Sequence, residues 1–79
     1  MVRAYVLLTV YPGRIKRVLE EVRAIQGVIK ANPVTGSYDA IIEVKATDLK
    51  DLERIIHDVQ DVNGVVSVTT EVVGDLGEE

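Results

Sequence analysis

The chain repeats itself, and the repeat fixes what it can fold into. Gln26-Gly27-Val28 returns as Asn63-Gly64-Val65, 37 positions further on. The same offset lays Val18, Leu19 and Val22 on Ile55, Ile56 and Val59. The opening segments match better at 36, Ala4, Val6 and Leu8 on Ala40, Ile42 and Val44, with one residue of slack in a loop. Each half reads strand, helix, strand. Two such halves in series give β-α-β-β-α-β, the ferredoxin-like unit. Two right-handed crossovers then set both helices on one face of a four-stranded antiparallel sheet. The expected fold class is therefore α+β, a ferredoxin-like βαββαβ sandwich of the dimeric α/β barrel type.

The elements follow from periodicity. Residues 2–10 are β-branched or aliphatic almost throughout, with Tyr5 and Thr9 inside, and read as a strand. Tyr11-Pro12-Gly13 breaks it. Residues 14–25 then carry Ile15, Val18, Leu19, Val22 and Ile25, the apolar stripe of an amphipathic helix. Gly27 stands where a C-terminal cap is wanted. Residues 28–34 form a second strand, and Pro33 puts it at a sheet edge or a bulge. Residues 38–45 form a third. Thr47 or Asp48 caps a second helix with the stripe Leu49, Leu52, Ile55, Ile56 and Val59. Asn63-Gly64 ends it, and residues 65–73 make the fourth strand. Residues 1–74 form one domain, and residues 75–79 an acidic tail, frayed as chain ends commonly are.

Seventy-nine residues hold one small core. Small cores are usually supported by disulfides, metals or oligomers. With no Cys and one His, disulfides, thiolate metal sites and His-rich metal sites are excluded. Oligomerisation remains. If Ala4, Val6, Leu8, Val10, Ala40, Ile42 and Val44 face the helices, then Tyr5, Leu7, Thr9, Ile41, Ser67 and Thr69 face away. Tyr5, Leu7 and Ile41 together make a partner surface, and two sheets packed face to face give a symmetric dimer. The plainer alternative is an amphipathic sheet standing in water.

A formal net charge of −4 argues against a free-standing nucleic-acid binder, which carries a basic face. No apolar run approaches the roughly 18 residues of a membrane span, and no signal-peptide pattern is present. These features describe a cytoplasmic protein with no direct nucleic-acid or membrane partner. Arg14, Lys16, Arg17 and Arg23 mix with Glu20 and Glu21 on helix one. Lys16–Glu20 and Arg17–Glu21 are pairs four residues apart on a solvated face.

The chemistry concentrates in Thr35-Gly36-Ser37-Tyr38-Asp39. Gly36 can take a positive φ, so the backbone can turn tightly and approach a small ligand. Its neighbours offer hydroxyls, a phenol and a carboxylate. A zwitterion such as a free amino acid needs acceptors for its ammonium and backbone N–H groups for its carboxylate. The alternative is a tight turn in which Tyr38 packs and Asp39 caps. For catalysis the sequence offers little. His57 lies between Ile56 and Asp58, off the inward-pointing stripe, and so faces water or an interface; no Ser-His-Asp arrangement or GxSxG elbow exists. No enzyme and no cofactor are expected, although a small dimeric ferredoxin-like enzyme stays open as an alternative.

Four strands and two helices in this order, with Val34-Thr35-Gly36-Ser37-Tyr38-Asp39 between strands two and three, resemble the effector-binding domain of the leucine-responsive/asparagine (Lrp/AsnC) regulators. That module is also called the RAM domain. Asp48-Leu49 opening helix two and Gly64-Val65 opening strand four are similar as well. The resemblance implies face-to-face dimers that assemble into rings, with small amino acids bound between dimers. It maps the ligand site to Thr35, Gly36, Ser37, Tyr38 and Asp39. Two Thr early in strand four are usual in the family; here the positions hold Val68 and Thr70, so only Thr70 carries over. Family members also carry an N-terminal helix-turn-helix domain, and here Met1 is followed at once by strand one. The expectation is thus a stand-alone sensing domain that modulates transcription or amino-acid metabolism, and that can partner full-length Lrp/AsnC regulators. A rival on the same fold is the ACT domain, whose Pro-Gly step between strand one and helix one resembles Tyr11-Pro12-Gly13-Arg14-Ile15. That reading moves the ligand to Pro12-Gly13 and the N-terminus of helix one.

Overall fold

A computed structural model of the chain describes residues 1–73; the expected acidic tail, residues 75–79, lies outside the described residues. Six elements run in the order β1 (Val2–Val10), α1 (Ile15–Arg23), β2 (Val28–Pro33), β3 (Ala40–Ala46), α2 (Leu49–Gln60) and β4 (Val65–Val72). The sheet order is β2-β3-β1-β4, antiparallel at every pairing. This is the ferredoxin-like βαββαβ arrangement that the repeat demands.

Alternation along the strands decides the core. Ala4, Val6 and Leu8 of β1 are fully buried, as are Ala40, Ile42 and Val44 of β3. They meet Val18, Leu19 and Val22 of α1 and Leu52, Ile55 and Val59 of α2 in one aliphatic cluster. No polar or charged residue is buried among the described residues. The register pairs Tyr5 with Glu43 and Leu7 with Ile41 on the other face. Across the β1–β4 seam that face pairs Leu7 with Thr69 and Thr9 with Ser67, whose hydroxyls share a hydrogen bond. Tyr5, Leu7, Thr9 and Ile41 are only half-buried there. The outward set is thus the one that the alternation gives.

The repeat is visible in the packing. Gly27 has φ +104°, and a Cβ placed on it would stand 2.4 Å from Ile55 Cδ1. Gly64 has φ +108°, and its Cβ would stand 3.0 Å from Val18 Cγ2. Val18 and Ile55 are themselves repeat mates. Each glycine therefore lies under the helix of the opposite half.

Element ends differ from the periodic pattern by one or two residues, most at the end of α1 and the start of β3. α1 stops at Arg23, where Ala24 N and Ile25 N tighten onto Glu21 O and Val22 O three residues back; the Arg23 guanidinium donates from Nε and Nη2 to Ala31 O at 3.1 and 2.6 Å. That bond ties the helix end to β2, an edge strand, the first of the two placements expected from Pro33; a register shift lies at its other end, between Val28 and Lys30. β3 begins at Ala40, so Tyr38 and Asp39 precede the strand. A second register shift, between Thr9 and Val10, leaves Val66 out of the β1–β4 pairing and 53% exposed.

The helix starts are unlike each other. Asp48 caps α2, its carboxylate accepting from Asp51 N at 2.7 Å. Asp51 answers by accepting from Thr47 N at 2.9 Å, so two amides are satisfied reciprocally. The hydrogen bond from Thr47, then that from Arg54, holds the Asp51 carboxyl below its ordinary 3.8. A carboxylate depressed on folding contributes stability above its unfolded pKa, and that contribution fades as pH falls through the lower folded value. Asp48→Ala is expected to cost about 1 kcal/mol in urea unfolding, the usual worth of such a cap. An unchanged midpoint would mean that Asp51 alone closes the helix. By contrast, no side chain caps α1 at Arg14.

Candidate ligand site

The β1–α1 connection is short because Pro12 and Gly13 turn it sharply, Gly13 with φ +81°. Tyr11 N donates to Gly64 O at 2.9 Å, and Arg14 N donates to Tyr11 O at 3.1 Å. These bonds fix the loop against the start of β4. Facing it is the 34–39 turn, closed by Val34 N donating to Asp39 O at 2.9 Å. Between them lies an open pocket of about 400 Å³. Val10, Tyr11, Pro12, Gly13 and Ile15 form one wall; Pro33, Val34 and Asp39 form the other. The lining is chiefly apolar, with one carboxylate. The uncapped first turn of α1 opens beside it, its leading amides lacking intrahelical acceptors.

The two alternative sites of the sequence touch at this pocket through Asp39 alone of the six residues expected in the first. Asp39 from the Tyr-Asp turn and Pro12-Gly13 from the Pro-Gly step line the same pocket. Thr35, Gly36 and Ser37 do not line it; they stand exposed on the outer side of the turn. Tyr38 is half-buried and also outside the lining. Gly36 has φ +132°, so the turn needs glycine for its backbone. A Cβ there would meet nothing within 4 Å, so within one chain a larger residue acts through strain and not through bulk.

Thr70 is not brought to the turn within one chain. It pairs with Val6, on the helix side of the sheet. From Asp39 it lies two strands across and three residues along, roughly 14 Å from strand spacing and rise. Only a neighbouring copy can bring it to the turn. The residues that periodicity missed are Val10, Tyr11, Ile15, Pro33 and Val34. The Pro-Gly step was the signal that could have found the first three.

A second, more polar pocket of about 460 Å³ lies between Gln26-Gly27 and the start of α2. Its Arg54 is already engaged, donating to Asp51, to Asp58 and to Gln26 O. His57 is exposed and 3.6 Å from Asp61. Of the two charge pairs expected on α1, Arg17–Glu21 forms at 3.6 Å, and Lys16–Glu20 does not come within bonding range. Among the described residues no three His, Cys, Asp or Glu side chains gather as a metal site would require, and no helix is long and apolar enough to cross a membrane.

Residues 3–75 match the family model described as the Lrp/AsnC ligand binding domain. The chain belongs to the Lrp/AsnC family. A curated relative, the uncharacterized HTH-type transcriptional regulator PH0140 of Pyrococcus horikoshii, is 30% identical over 71 residues, 89% of this chain and 45% of the relative. The chain thus spans about half the length of the curated relatives it matches. Among solved structures, FFRP-DM1 superposes with a TM-score of 0.87 at 30% identity, covering 92% of this chain and 99% of that one. The Neisseria meningitidis transcriptional regulator NMB0573, solved as a complex with L-Met, gives 0.82 at 17% identity, over 99% of this chain and 53% of that one. At that identity the likeness concerns the fold. The expected family and the expected sandwich both hold, and the relatives are named as transcriptional regulators.

Proposed function

We propose that this Lrp/AsnC domain senses a free amino acid, or a similar small zwitterion, and acts in regulation without catalysing a reaction. The observation that carries the reading is the pocket between the Val10–Ile15 loop and the 34–39 turn, in a chain whose family model is a ligand-binding one. Its walls suit an apolar side chain. The open first turn of α1 suits a carboxylate, because helix N-termini present free amides and a positive dipole end. Thr35, Gly36 and Ser37 stand exposed beside the pocket and Tyr38 half-buried, where a second dimer would add the rest of the site, Thr70 included. In this reading the protein is cytoplasmic, assembles as face-to-face dimers and then rings, and modulates transcription or amino-acid metabolism through family regulators. It does not itself bind DNA, in keeping with its net charge of −4.

A thermal-shift screen of the natural amino acids tests this, with L-methionine included because the Neisseria regulator was solved with it. A ligand that binds only the folded state raises the midpoint by mass action, about 2.7 kcal/mol at a hundredfold excess over Kd. At least one amino acid is expected to do so, and Gly36→Val is expected to abolish the shift while the variant stays folded. No shift with any of them would refute the sensing role. Turnover of a bound compound would favour the enzyme alternative instead.

A further inference from the structure

The expected role of Asp39 was to hold a ligand ammonium. The hydrogen bonds suggest a different task. Asp39 makes three of them, each to a different place. Its amide donates to Leu8 O at 2.7 Å, one residue out of register, since Leu8 is the ladder partner of Ala40. Its carbonyl accepts from Val34 N at 2.9 Å and closes the turn. Its carboxylate Oδ2 accepts from Val10 N at 2.9 Å, in a part-buried setting.

The third bond answers a structural need. In an antiparallel ladder, alternate residues of a strand direct their amides to the same neighbour. Leu8 and Val10 both turn toward β3, whereas Tyr11 turns toward the β4 side and reaches Gly64 O. Before Asp39 the chain swings away into the 34–39 turn. No β3 backbone acceptor is left opposite Val10, and a part-buried amide without a partner is costly. The Asp39 side chain replaces the missing carbonyl.

The bond also spans the pocket. Val10 leads into one wall, Tyr11 to Ile15, and Val34 belongs to the other. Asp39 is bonded to both Val10 and Val34, so one residue sets the distance between the walls. We propose that Asp39 is a positioning residue: it fixes the width of the pocket through Val10 N–H and is not the acceptor for a ligand's ammonium. What this width is for rests on the ligand-sensing reading; the clamp itself does not.

Asp39→Asn and Asp39→Ala separate the two roles. The Asn amide oxygen can accept from Val10 N without a negative charge; Ala cannot accept at all. Amide hydrogen exchange is read on the whole protein without any ligand. The Val10 amide is expected to stay protected in Asp39→Asn and to exchange about tenfold faster or more in Asp39→Ala, a loss in line with one hydrogen bond. Equal protection of Val10 in all three proteins would overturn the clamp, whether or not any amino acid binds. Calorimetry with L-methionine, or with the amino acid giving the largest thermal shift, is the second arm. Retained affinity in Asn, with a loss of about tenfold or more in Ala, is the expected pattern for positioning. Losses of similar size in both, with Val10 still protected in Asn, would make Asp39 the ligand's acceptor and overturn the proposal. Should no amino acid bind the unaltered protein, the sensing reading fails and the exchange arm still decides the clamp.

Discussion

Gly27→Ala is expected to destabilise the protein by about 2–5 kcal/mol, the combination of backbone strain at positive φ and overpacking of a filled core. The added methyl would stand 2.4 Å from Ile55 Cδ1 and 3.3 Å from the Lys45 carbonyl oxygen. Ile55 is wholly buried, so its tip has no free space to enter. Domains of this size have only about 5–15 kcal/mol to lose, so the variant should unfold at far lower urea. The cause can be isolated. Ile55→Val removes the Cδ1 atom and by itself costs about 0.5–1.5 kcal/mol. If the clash dominates, the double variant should be markedly less destabilised than the sum of the singles. Additive losses would put the whole effect in the backbone at φ +104°. A Gly27→Ala protein as stable as the parent would show that the two halves do not interlock as described.

The second large effect concerns assembly. Leu7→Asp is expected to turn a dimer or ring into monomers, as read by light scattering at micromolar concentration. Leu7 sits at the centre of the outward sheet face, paired with Ile41 on one side and Thr69 on the other. In a two-fold interface the substitution enters twice, and each charge would meet apolar surface without a partner. A weakening of dimerisation of at least about a hundredfold is expected, since about 1.4 kcal/mol already makes tenfold. Leu7 is only half-buried in the single chain, so the fold itself should survive. An unaltered particle mass in the variant would remove this face as the contact. A parent protein of about 9 kDa in solution, one chain of 8.7 kDa, would remove the assembly altogether.

The sequence carried the architecture because the architecture rests on period and repeat. Val6, Leu8, Ile42 and Val44 announce the buried face by alternation, and Asp48 announces its helix by local capping. The candidate site was harder. Tyr38 and Asp39 read as strand residues because nothing in their neighbourhood shows that Val10, twenty-nine positions earlier, needs an acceptor. Thr70 was placed with the turn by family likeness, and register alone separates them. Arg23 reaching Ala31 O belongs to the same class: a side chain closing a backbone bond that only the assembled sheet creates. Pro12-Gly13 and Tyr38-Asp39 gave rival sites because sequence offers no measure of the space that Pro12, Gly13 and Asp39 share.

The crossed seating of the two glycines bears on how the chain reaches its native state. Gly27 joins helix to strand within the first half, yet the side chain over it, Ile55, belongs to the second. Gly64 joins helix to strand within the second half, beneath Val18 of the first. The strands interleave likewise, with β1 seated between β3 and β4. A separate strand-helix-strand segment would expose the seat that its own glycine makes, with no side chain to fill it. The repeat is therefore one of pattern and not of autonomy. The whole domain should melt as a single unit, and damage at either turn should be felt at both ends of the molecule.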